Sequence, residues 1–130
     1  MVTREQAARW LTGVAALGYL GTAALHGTGY EFVVGKAKDV PGMLGQLMPA
    51  LWLVFSVDLS VLGLILGVLT LRPADVARPI LVIAALCPFA VAGLQIRFIG
   101  FIPPTGLLIT LGILTWAGAA VWPRRRDAKA

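Results

Sequence analysis

Four apolar stretches, each about the length a helix needs to cross a bilayer, occupy most of the 130 residues of this chain. That pattern leaves few folds open, because lipid cannot satisfy backbone polar groups and a spanning segment must be a helix or part of a closed barrel. Runs this long and continuous are helical rather than the alternating ten-residue strands of a barrel. Composition agrees: 58% of residues are hydrophobic and 13% charged, against roughly 25% charged in soluble domains. A soluble core of this size could not hide so much apolar surface.

The stretches cover residues 10–33, 47–71, 80–101 and 106–122. Prolines punctuate them. Pro49 falls in the first turn of the second, Arg72-Pro73 ends it, Pro79 begins the third, Pro103-Pro104 separates the third from the fourth, and Pro123 closes the last. Connections are short, so neighbours in sequence are expected to pack antiparallel. The expected architecture is an all-α membrane protein, one integral domain built as an antiparallel four-transmembrane-helix bundle. The segment 31–46 is the only sizeable loop, expected outside and partly interfacial or re-entrant.

Orientation follows from the basic residues. Arg4, Arg9, Arg72, Arg78, Arg124, Arg125, Arg126 and Lys129 fall on the side of the N-terminus, against Lys36, Lys38 and Arg97 opposite. This bias places both termini in the cytoplasm, with Trp10 and Trp122 at the inner interface, and speaks against insertion in both orientations. The net charge of +5 is therefore read as topology signals and contacts with anionic headgroups, not as a nucleic-acid surface. The first apolar run exceeds the about 7–15 residues of a signal-peptide core and ends in no Ala-x-Ala site, so it reads as a retained span. Cys87, the single cysteine, has no partner for a disulfide within the chain.

Polar residues inside the spans carry the functional clues. Asp58, in LVFSVDLSVLG near the middle of the second span, would be costly as an anion facing lipid; it must be neutral, paired, or open to a watery or ligand-filled cavity. On the first helix Tyr19, Thr22, His26 and Tyr30 recur every three or four residues and share a side. For His26, the only histidine, a packing role, a proton-relay or ligand-binding role, and metal or haem ligation stay open. A lone histidine cannot build a closed metal site, so no metal is expected. On the second helix Ser56, Ser60, Gly63 and Gly67 form a small-residue stripe for close helix packing, within the bundle or against a second copy. Asp58 lies about 200° from that stripe.

Rise per residue places Asp58 about 20 Å, Gln95 about 22 Å, Arg97 about 25 Å and His26 about 24 Å from the inner ends of their helices. Arg97 could pair with Asp58 or snorkel to the outer headgroups. The expected site is a polar spot of His26, Asp58, Gln95 and Arg97 with aromatic walls from Tyr19, Tyr30 and Trp52. No phosphate loop, nucleophile elbow or Cys-x-x-Cys pair is present, so no catalytic residue is assigned and no cofactor is named.

LGTAALHGTGYEF in the first helix, ALWLVFSVDLS in the second and FIPPTGLLITLGIL leading into the fourth resemble small bacterial four-helix membrane proteins of the DoxX-like kind. The resemblance implies four helices in a bacterial inner (plasma) membrane and carries over no functional residue. Small multidrug exporters are similar in length but depend on a glutamate in the first helix, absent here between Trp10 and Gly29. The expected function is non-enzymatic: binding a hydrophobic small molecule such as a lipid, quinone or isoprenoid, or serving as accessory subunit of a membrane complex. The alternatives are a small proton-coupled transporter using Asp58 and His26, or an enzyme acting on a lipid-soluble substrate.

Overall fold

The computed structural model describes residues 2–72 and 75–123. Pro73 and the basic tail of Arg124, Arg125, Arg126 and Lys129 lie outside the described residues. Every regular element among the described residues is helical: α1 (Arg4–Gly27), α2 (Tyr30–Ala37), α3 (Met43–Leu71), α4 (Ala77–Phe98) and α5 (Pro103–Val121). Three of these, α3, α4 and α5, are long and apolar enough to cross a membrane. With 24 residues, α1 has the length but is diluted by Thr12, Gly13, Gly18, Gly21, Thr22 and His26.

A capping box starts α1. Thr3 Oγ1 accepts from the Gln6 backbone N–H at 3.1 Å, and Gln6 Oε1 accepts from that of Thr3 at 2.9 Å. The far end corrects the expected boundary at residue 33. At Thr28 the helix stops: its hydroxyl donates to the Leu25 carbonyl at 2.6 Å, and the Trp52 indole N–H of α3 donates to the His26 carbonyl at 2.8 Å. Terminal carbonyls that a continuing helix would have used are taken by side chains instead. A Cβ on Gly29 would lie 2.7 Å from the Trp52 ring, so only glycine fits where the chain turns.

The expected loop 31–46 is therefore mostly helix. In α2, Val33 and Ala37 are buried while Lys36 is exposed. Gly42, at φ 73°, makes the turn into α3, a left-handed conformation that glycine adopts without strain. Because α3 begins at Met43, Pro49 lies inside the helix rather than in its first turn. Likewise α4 starts at Ala77, with Pro88 within it, and Pro103-Pro104 open α5 instead of separating two helices. Proline with its fixed φ suits those first positions.

The packing is up-down-up-down with α1 in the middle. Along α3, Gly13 meets Thr70, Gly63 meets Ala16 and Leu20, and Gly29 meets Trp52; ascending residues on one helix face descending residues on the other. The same holds for α1 and α5, where Gly18 meets Leu111 and Gly118 meets Thr12, and for α4 and α5, where Phe89 lies against Gly112 and Gln95 bonds to Thr105. By contrast, α3 and α4 touch only slightly. The core follows this order, with Ala8, Ala15, Ala16, Tyr19 and Ala23 of α1 buried against Leu59, Leu66, Leu108 and Leu111. Small residues on the central helix let two neighbours approach closely, which is how helices gain packing energy where lipid removes any hydrophobic drive between them.

Two arginines lock the ends. Arg9 Nε donates to the Thr70 carbonyl at 2.8 Å, and Arg4 Nε to that of Val121 at 3.0 Å. Each brings a cation to the C-terminus of a neighbouring helix, satisfying an orphan carbonyl and opposing the negative end of its dipole. The start of α1 thus gathers the ends of α3 and α5 at one face.

Candidate functional site

A ring cluster and a groove lie between α1 and α3, at opposite ends of their contact. Towards the α2 end, the His26 ring stacks on Trp52 with centroids 3.8 Å apart and an interplanar angle of 17°, and meets Phe55 edge-on at 4.8 Å. Its Nδ1 is 2.9 Å from Ser56 Oγ, and Ser56 Oγ is 3.4 Å from the Trp52 carbonyl. With the proton on Nδ1 these bonds run in one direction, His26 to Ser56 to the Trp52 carbonyl, leaving Nε2 as an acceptor. Trp52 closes the circuit through the His26 carbonyl. The cluster clamps α1 to α3 and braces the turn at Thr28. Trp52→Phe keeps a stacking ring but loses the indole donor, and is expected to destabilise the protein by about 1 kcal/mol, read as a lower melting temperature of the purified protein.

The other expected site residues do not join this cluster. Tyr19 is fully buried, its hydroxyl 3.4 Å from Thr115 Oγ1 of α5. Gln95 accepts from the Thr105 hydroxyl at 2.8 Å, while its backbone carbonyl accepts from Ile99 and Gly100 at 2.8 and 3.0 Å; it holds the α4–α5 turn. Arg97 lies 5.4 Å from the Phe98 ring centroid and is exposed. Tyr30 is half-buried at the start of α2. Asp58 is exposed near the middle of α3, and among the described residues it has no hydrogen bond and no ion pair, with Arg97 or otherwise. Of the seven, His26 and Trp52 are in ring contact.

The small-residue stripe of α3 faces α1 and divides by position. Ser56 serves His26, and Ser60 donates to the Ser56 carbonyl of its own helix at 2.9 Å. At Gly63 the two helices are in close contact, and a Cβ would lie 2.8 Å from Leu20 Cγ and 3.1 Å from the Ala16 carbonyl oxygen. Gly67 has nothing within 4 Å of where a Cβ would be.

That open position belongs to a groove of about 600 Å³ between α1 and α3, extending from the Gly63 contact to the start of α1. Leu17, Leu20, Leu64 and Val68 form its sides, Gly67 leaves a hollow between them, and Gln6, Arg9 and Trp10 stand at its mouth. The volume is in the range of small-molecule sites, and an apolar lining with a few polar groups at one end is their usual composition. Spacing in the sequence could have found half of it: Gly13 and Gly67 are legible as small residues, but not that they line one groove.

Among the described residues no group of three His, Cys, Asp or Glu side chains is arranged to hold a metal ion. No protein-family model, curated protein or solved structure matches the chain.

Proposed function

We propose that this chain is a non-enzymatic multi-pass membrane protein of four antiparallel spanning helices that holds a lipid-soluble small molecule between α1 and α3. The observation that carries the reading is the apolar groove of about 600 Å³, open along its length and polar only at its mouth. Support for α1 as the fourth span comes from its contacts, which follow α3 from Gly13 at Thr70 to Gly29 at Trp52; a helix matched to a spanning neighbour over that distance shares its slab. In the proposed setting, a bacterial inner membrane, both termini are cytoplasmic, following the distribution of Lys and Arg.

Two experiments test this. In a Cys87→Ser background, a cysteine at Val2 and one at Lys38 are expected to label with a membrane-impermeant maleimide from opposite sides, Val2 from the cytoplasm; labelling from one side would remove α1 from the spans. A photoreactive fatty acid is expected to crosslink to residues 13–20 and 64–68, and Gly67→Leu, which fills the hollow, to lower that crosslinking severalfold. Labelling spread evenly over α4 and α5 would discard the groove.

Asp58 favours a second reading, an accessory subunit of a membrane complex. An exposed carboxyl in the middle of an apolar helix, with no hydrogen bond and no ion pair among the described residues, suits a neighbouring helix that supplies a donor or cation.

A further inference from the structure

The mouth of the groove is chemically one-sided. Arg9 spends its Nε–H on the Thr70 carbonyl, which fixes the guanidinium in place, and its two terminal nitrogens have no hydrogen-bond acceptor among the described residues. Gln6 uses Oε1 to cap α1, so its amide N–H groups remain as donors. Trp10 is 74% exposed, and its indole offers a donor only. No acidic residue is among those lining the groove. A fixed cation, an amide N–H₂ and an indole N–H stand at a mouth that has no carboxylate among its lining residues.

The hollow below has a definite length. From Trp10, an interfacial residue by type, to Leu20 at the Gly63 contact is about 15 Å of helix, half the roughly 30 Å hydrocarbon core. Such a groove suits one extended alkyl chain of a single leaflet, with its polar end at the membrane surface. A compact solute would leave it part empty, and a molecule crossing the bilayer would be stopped where α1 and α3 close at Gly63.

Resting on the reading of this groove as a hydrophobic-ligand site, we propose that its occupant is an anionic glycerophospholipid of the leaflet on the N-terminal side, with one acyl chain along the groove over Gly67 and its phosphate on Arg9. The guanidinium's planar fork matches two phosphate oxygens at once. Gln6 and Trp10 then donate to the remaining phosphate and ester oxygens.

The test uses the full-length protein, purified and exchanged against phosphatidylglycerol or phosphatidylcholine of identical acyl chains, with bound lipid counted by native mass spectrometry. The wild type is expected to retain phosphatidylglycerol about tenfold over phosphatidylcholine, with the preference shrinking as salt rises. Arg9→Gln should shrink the preference, lowering phosphatidylglycerol retention more than that of phosphatidylcholine, whose phosphate is offset by its own choline cation; Gly67→Leu should lower retention of both. Because Arg9→Gln also loses the Thr70 bond, the salt series on the wild type tests the headgroup contact without any variant: a preference indifferent to salt overturns the proposal. If Gly67→Leu lowers both lipids while Arg9→Gln leaves the preference intact, the anionic headgroup is wrong and the groove reading stands. If Gly67→Leu changes neither lipid, both fall. If it instead dissociates a dimer that forms without lipid, the groove is an interface between copies and the lipid proposal is overturned.

Discussion

Replacing Gly63 with leucine is expected to destabilise the protein by about 3 kcal/mol, the upper end of the usual cost of overpacking, while Gly67→Leu, one turn further along α3, leaves stability near that of the wild type. Both glycines belong to the same Gly-x-x-x-Gly spacing, so the sequence treats them alike. At Gly63 the new side chain would meet Leu20 Cγ at 2.8 Å and, less able to move, the Ala16 carbonyl oxygen at 3.1 Å. Relief requires α1 and α3 to separate, which would also strip contacts from Ala16 and Leu66. At Gly67 a Cβ enters open space, and a leucine adds contacts with the groove walls. Denaturant or thermal unfolding of the two variants in the same detergent decides the matter. Equal losses would mean that the stripe closes evenly along its length and that no groove lies beyond Gly63.

Much of this fold is legible in the sequence, for reasons that also explain what is not. The runs that become α3, α4 and α5 declare themselves because an apolar segment of 19 residues or more has few uses outside a membrane. Helix ends are harder, since they depend on partners far away in the chain. His26-Gly27-Thr28-Gly29 contains two glycines but no proline, and what stops α1 there is the Trp52 indole from another helix. Arg4 and Arg9 read as topology markers on composition alone, but in the fold they bond to carbonyls more than 60 residues away. The same limit applies to the site. Depth along each helix places His26, Asp58 and Gln95 at similar levels, but rotation about the axis chooses the partner, and it turns His26 to Ser56 and Gln95 to Thr105. A stripe read as packing proves divided because Ala16 and Leu20 lie opposite Gly63 whereas nothing lies within 4 Å of where a Cβ on Gly67 would be.

Asp58→Lys is expected to abolish most of the purified yield, and Asp58→Asn to retain most of it. The residue is near the centre of the 29-residue α3 and is exposed, between the exposed Val57 and buried Leu59. A lysine placed there costs about 2.5–3.5 kcal/mol for insertion at a helix centre, a large share of the stability of a small protein. Its long side chain has no carboxylate to reach among the described residues once Asp58 itself is gone. Asparagine keeps the shape of the carboxyl and offers both a donor and an acceptor, so it is expected to substitute with little loss. Where α3 and α4 barely touch, that donor and acceptor are available to whatever lies alongside, whether a lipid ester or a neighbouring helix. Yield and melting temperature of the two variants, each expressed at the same level, report the difference. Should Asp58→Asn be as damaging as Asp58→Lys, the ionised carboxylate itself is required; since Arg97 is not paired with it in this fold, the missing cation would then have to come from another chain, and the accessory-subunit reading would take precedence over the lipid-binding one.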